Sequence, residues 1–123
     1  MLSRNAFDRT SGEVISSRTA RSELEGYFSG DGNLSLKWYS TDVPGKNIGR
    51  EMISTAIETL GPERVTSVSA RLGRTNLDVY ENSLRNGLSA TDAVWRTPLG
   101  KSMQYLGYRN LEVQNYSSVI FRR

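Results

Sequence analysis

The stretch LSLKWYSTDVPGKNIGREMISTAIETLGPERVTSVSARL, residues 34–72, decides the fold. Leu34, Leu36 and Trp38 alternate with Ser35, Lys37 and Tyr39, the period-two pattern of a strand with one buried face. Thr41-Asp42-Val43-Pro44-Gly45-Lys46 breaks that strand, because Pro44 presets a turn dihedral and Gly45 tolerates the conformations that follow it. Ile48, Met52, Ile53, Ala56, Ile57 and Leu60 then recur at helical spacing and predict a helix over 47–60, ended by Gly61-Pro62. Beyond it Thr66, Val68, Ala70 and Leu72 alternate with Val65, Ser67, Ser69 and Arg71, which predicts a second strand over 64–72.

Toward the N terminus, Ala20, Leu24, Tyr27 and Phe28 recur at helical spacing and predict a short helix over 18–28, followed by a turn at Gly30-Asp31-Gly32-Asn33. Residues 1–16 hold few apolar anchors and read as a flexible lead-in with a short strand at Val14-Ile15, which leaves 17–123 as a single domain. Toward the C terminus, Thr75-Asn76-Leu77-Asp78 fits a capping box that opens a helix ending near Gly87, with Leu77, Tyr80 and Leu84 buried. Ser89-Ala90-Thr91-Asp92 repeats the signal for a short helix through Trp95 or Arg96. Thr97-Pro98 starts another, with Thr97 as cap, Pro98 in the first turn, Leu99, Met103 and Leu106 inward, and Gly107 at its end. Residues 110–114 and 118–123 read as a hairpin around Asn115-Tyr116-Ser117. The expected fold is α+β: a small open sheet of about four mostly antiparallel strands with helices packed on one face, its strand order left open.

Composition narrows the chemistry. The 123 residues include no cysteine and no histidine, which excludes thiolate nucleophiles, disulfides, Cys-ligated zinc and the commonest general base. No apolar run approaches the roughly 18 residues of a membrane span. Residues 1–63 carry seven Lys/Arg against nine Asp/Glu, whereas residues 64–123 carry nine against four. A basic second half favours a phosphate-bearing partner.

Two places can grip a phosphate. Arg71 and Arg74 straddle the end of the second strand, where a rigid element positions a loop and a bidentate guanidinium can meet a phosphodiester. At the Thr97-Pro98 helix start, Thr97 and free backbone amides make an anion-attracting end beside Arg96 and Lys101. Lys101 and Tyr105 lie about 40° apart on the helix, roughly opposite its apolar stripe. Gly100-Lys101-Ser102 lacks the preceding glycine-rich loop of a nucleotide site, and Gly73-Arg74-Thr75 lacks the GxGxxG spacing, so no nucleotide cofactor is expected. Asp31, Asp42, Glu51 and Glu112 are scattered, and no spacing demands a metal. Asp78 and Asp92 read as helix caps. Glu51 is the general-base candidate by elimination. Trp38 and Trp95 read as core, whereas Tyr39, Tyr105, Tyr108 and Arg109 offer surfaces on which bases can stack.

The segments Thr75-Asn76-Leu77-Asp78-Val79-Tyr80, Gly87-Leu88-Ser89-Ala90-Thr91-Asp92-Ala93, Thr97-Pro98-Leu99-Gly100-Lys101 and Leu106-Gly107-Tyr108 resemble the closing part of some bacterial polymorphic toxins, over about residues 47–123. These are effector domains of Rhs-type or contact-dependent inhibition proteins. The resemblance implies a domain delivered from the producer cell into a competitor's cytoplasm, neutralised by a cognate immunity protein, and often a nuclease. It transfers no catalytic residue to this chain.

The leading expectation is a metal-independent ribonuclease in which the RNA 2′-hydroxyl attacks the adjacent phosphate, with RNA, tRNA among the candidates, as substrate. Arg71, Arg74 and Lys101 would neutralise developing charge, Tyr105 or Thr97 would position the phosphate, and Glu51 would act as base. Two alternatives stand beside it: an ADP-ribosyltransferase toxin using Glu51 or Glu112, and a noncatalytic nucleic-acid or protein binding module.

Overall fold

The computed structural model describes residues 2–6, 13–18, 22–41 and 48–123, with side chains over 24–37 and 50–123. Strands β1 (Leu2–Ala6), β2 (Glu13–Arg18), β3 (Ser22–Phe28) and β4 (Asn33–Thr41) precede helix α1 (Ile48–Leu60). After β5 (Ser67–Arg71) come α2 (Arg74–Arg85), α3 (Ala90–Arg96) and α4 (Pro98–Tyr105), then β6 (Asn110–Asn115) and β7 (Ser118–Arg122). The strands form one open sheet in the order β1-β2-β3-β4-β5-β7-β6.

The α+β class with an open, mostly antiparallel sheet is as the sequence leads one to expect. The seven strands exceed the expected four because the N-terminal part of the chain adds to the sheet. Residues 22–28 are strand β3 and not a helix. Leu24 and Phe28, spaced for one helix face, are also an even number of residues apart, so in a strand they share a face, and both are buried there. Gly26 between them disfavours a helix by about 1 kcal/mol. The lead-in expected over 1–16 contains β1 and most of β2, with Val14 and Ile15 inside β2. Strand pairing runs through backbone groups that any sequence carries, so polar residues can join a sheet without displaying an apolar alternation. The Pro44-Gly45 turn lies outside the described residues, as do the side chains of Trp38 and Tyr39.

One pair in the sheet is parallel: β4 runs beside β5, with Asn33 opposite Ser67 and Leu36 opposite Ala70. Parallel neighbours need a crossover, and α1 supplies it between them. One face of the sheet buries Leu24, Phe28, Leu34, Leu36, Val68, Val119 and Phe121 beneath the helices, which add Met52, Ile53, Ala56, Ile57, Leu60, Tyr80, Val94, Leu99 and Met103. Each such large side chain contributes about 1.5–3 kcal/mol by leaving water. Trp95 is half-buried, its ring 5.6 Å from that of Phe121. The buried Tyr108 donates its hydroxyl to the Val65 carbonyl at 2.6 Å, and so ties the exit of α4 to the approach of β5.

The helices end as their sequences require. The amide of Tyr108 returns to the Met103 carbonyl and that of Gly107 to Gln104, a Schellman motif that needs the positive φ of 97° at Gly107. Gly100 answers a different demand: α4 follows α3 so closely that a Cβ there would sit 2.1 Å from the Val94 carbonyl oxygen. Gly73 is extended and has nothing within 4 Å of the corresponding position. Gly100→Ala should therefore lower unfolding stability in urea by about 3 kcal/mol. Gly73→Ala, measured alongside it, should remain within about 1 kcal/mol of the parent.

Candidate functional site

Where the parallel pairing stops, at Leu36 and Ala70, the middle of β4 and the carboxyl end of β5 border a cleft of about 190 Å³. Its floor is apolar, built from Leu36, Ala70, Leu72 and Leu99. Its charged lining residues are all cationic, Lys37 from β4, Arg71 from the last position of β5 and Arg74 from the first of α2. The carboxyl end of a parallel strand suits ligand binding because the chain leaves the sheet there, as it does after Arg71, which frees backbone and side chains to face a crevice. Among the described residues, Lys37 and Arg71 have no ion-pair partner.

The turn from β5 into α2 takes two residues. Gly73 is extended and acts as N-cap without a side-chain hydrogen bond, its carbonyl accepting from Asn76 at 3.1 Å and Leu77 at 3.4 Å. Thr75 is therefore not the cap expected from the capping-box pattern; it is exposed one turn position inside the helix. Arg74 has φ 50°, in the left-handed region. A non-glycine residue held there costs about 1–3 kcal/mol, a strain more common at binding sites than elsewhere.

Asn76 closes the helix side of the cleft. It is only 8% exposed, and its Oδ1 accepts from the Leu99 amide at 2.9 Å. Thr97 is fully buried; its hydroxyl accepts from the Gly100 amide at 2.9 Å and donates to the Val94 carbonyl at 2.6 Å. The Lys101 amide already donates to the Thr97 carbonyl at 3.0 Å, and Pro98 has no amide hydrogen. The start of α4 is thus saturated from within the protein. No amide remains there for an anion, in contrast to the expectation for Thr97 and its neighbours.

The other sequence candidates stand apart from the cleft lining. Lys101 is exposed on α4, and Arg96 is exposed at the end of α3. Tyr105 is 68% exposed, but the Arg50 guanidinium lies 3.9 Å from its ring centre and covers one face. Glu51 is exposed in the first turn of α1, where its charge complements the helix dipole. Tyr108 is buried and offers no stacking surface. Glu112 pairs with Arg122 at 2.9 Å, and this hydrogen bond, with a lesser one from Gln114, holds its carboxyl below the ordinary range. The Tyr116 hydroxyl donates to Glu81 at 3.0 Å, which pushes the phenol up.

The structure thus brings Arg71 and Arg74 together and adds two residues the sequence reading passed over as site candidates, Lys37 and Asn76. Lys37 had a legible signal, since it falls on the polar side of its strand; only the fold reveals that it lines the same cleft as Arg71. Among the described residues no group of three His, Cys, Asp or Glu is placed to hold a metal ion, and no helix is long and apolar enough to cross a membrane. Compared with protein families, curated proteins and solved structures, the chain has no match. Its function is therefore read from this geometry.

Asn76→Ala should remove a buried acceptor and strand the Leu99 amide, lowering stability by about 2 kcal/mol in urea unfolding. An unchanged midpoint would mean that water replaces the lost acceptor.

Proposed function

We propose that the chain is a metal-independent ribonuclease domain, of the kind expected of a bacterial toxin effector, that takes an RNA phosphate at the rim of the cleft. The observation that carries this reading is the convergence of Lys37, Arg71 and Arg74 over an apolar floor, with no carboxylate among the described lining residues. Such a rim attracts a polyanion and leaves the floor for the flat face of a base or a sugar.

RNA brings its own nucleophile. The 2′-oxygen bonds to phosphorus and the bond to the 5′-oxygen breaks; the 2′-proton passes to a base, and the departing oxygen takes a proton from solvent. Negative charge gathers on the nonbridging oxygens during this exchange, where preplaced guanidinium and ammonium groups stabilise it most. Arg71 and Lys37 fill that role from the strands, and Arg74 from the helix start. Glu51, the sequence-based candidate for the base, and Tyr105, the candidate for positioning the phosphate, are not among the residues that line the cleft. A cognate immunity protein and action in a target-cell cytoplasm rest on the toxin resemblance alone.

A second reading, RNA binding without cleavage, is favoured by one specific feature: the described lining residues include no carboxylate to accept the 2′-proton.

Purified protein incubated with total RNA, tRNA and duplex DNA, with and without EDTA, separates these on a denaturing gel. The ribonuclease reading expects RNA fragments that persist in EDTA. Arg71→Ala should lower cleavage by about tenfold or more, the loss of one charge-assisted contact, with an unchanged circular-dichroism spectrum. Arg74→Gly should do the same while folding at least as well, since glycine relieves the left-handed strain. RNA that is bound but left intact assigns the cleft to binding alone. RNA neither bound nor cut removes the cleft from the account.

A further inference from the structure

The sheet face turned away from the helices carries a polar lane that begins at the cleft. Alternation along β5 puts Ser67, Ser69 and Arg71 on this face, opposite the buried Val68. Across the antiparallel neighbour, Ser67 stands beside Arg122 and Ser69 beside Ile120. On the other side Asn33 stands beside Ser67. Asn33 organises the lane: its Nδ2 donates to Ser69 Oγ at 3.1 Å, and its Oδ1 accepts from Ser67 Oγ at 2.8 Å. Ser69 is left with its hydroxyl hydrogen and Ser67 with acceptor capacity, and neither bonds further to a described group.

The lane has a cation at each end. Arg71 lies four residues along β5 from Ser67, a span of about 13 Å, and Arg122 lies beside Ser67. Arg122 is not idle at rest: Glu112 holds it at 2.9 Å, both side chains 49% exposed. An exposed pair of this kind is weak and open to exchange for another anion.

We infer that a single strand of RNA lies along β5 on this face, with one phosphate at the Arg71 end, another at Arg122, and ribose hydroxyls over Ser67 and Ser69. The Arg71 end rests on the cleft reading above. Charge complementarity selects a polyanion, and the hydroxyl lane selects the sugar. A 2′-hydroxyl is both donor and acceptor, and Ser69 and Ser67 have a donor and an acceptor to spare. A base-paired duplex would present its phosphates on a rigid helix rather than along a strand. Glu112 acts as a built-in competitor, occupying Arg122 and repelling the incoming phosphate.

The test is stopped-flow anisotropy on the full chain, read in the first second after mixing, with a labelled ten-nucleotide oligouridylate, the matching oligodeoxythymidylate and an RNA duplex. Glu112→Gln should tighten oligouridylate binding about fivefold, since it frees a cation and removes a like charge. Arg122→Ala should weaken it by a similar factor and reduce the slope of log affinity on log salt by roughly 0.7. Replacing Ser67 and Ser69 together by Ala should erase the preference for RNA over DNA. Unchanged affinity in both the Glu112 and Arg122 variants overturns the inference, as does equal binding of RNA and DNA by the parent or tighter binding of the duplex. Loss of binding in Arg71→Ala alone leaves the cleft reading standing and overturns the lane. A response to Glu112 and Arg122 without a response to Arg71 keeps the Arg122 contact but overturns the path to Arg71, and sinks the cleft reading with it.

Discussion

The buried hydrogen bond from the Leu99 amide to Asn76 Oδ1 is the constraint on which the cleft depends. It joins the first turn of α2 to the first turn of α4 across 23 residues of sequence. Leaving that amide unmet in the interior would cost about 1–3 kcal/mol, so the two helix starts hold each other in place. Once Asn76 must point inward, the chain has only Leu72 and Gly73 in which to leave β5 and enter α2. The extended Gly73 and left-handed Arg74 follow from that short passage, and they deliver a guanidinium to the cleft lining. Strain at Arg74 and order at Asn76 are two sides of one arrangement.

The sheet divides labour between its faces. Apolar alternation commits one face to the helices, and the close approach of α3 and α4 at Gly100 lets a short helical layer cover it. The opposite face carries serines, Asn33 and cations, residues that bury little apolar area and whose polar groups prefer partners in water or on a ligand. The parallel β4/β5 pair connects the two faces at its carboxyl end. There the floor belongs to the core and the rim to the polar side, which allows a ligand to touch both at once.

Much of the fold was legible in local pattern. The change of apolar period from two to about 3.6 and back marked β4, α1 and β5. Ser89 and Thr97 were recognisable as caps because a cap acts on amides two or three residues away, and both accept as expected. Thr75 misled for the opposite reason: its pattern was sound, but the helix began two residues earlier, capped by Gly73, at a position that lets Asn76 reach the Leu99 amide. The β3 segment misled because Leu24 and Phe28 satisfy both periods, and only burial against β4 settles which one applies.

The site divides along the same line. Arg71 and Arg74 were visible as cations at the end of a strand. The capacity of Thr97 and the amides of α4 to take an anion also looked real in sequence, yet Asn76 and Thr97 fill that capacity inside the fold. By itself the sequence determined the type of most elements, the caps at Ser89 and Thr97, and the basic bias of the second half, since each arises among residues near one another in the chain. Only the tertiary structure decided the strand order, the parallel pairing that brings Lys37 to the same cleft as Arg71, and the filling of the α4 start from within the protein. Those depend on which distant groups burial brings within hydrogen-bonding reach, and the choice is made by the free energy of the whole packed core rather than by any one segment.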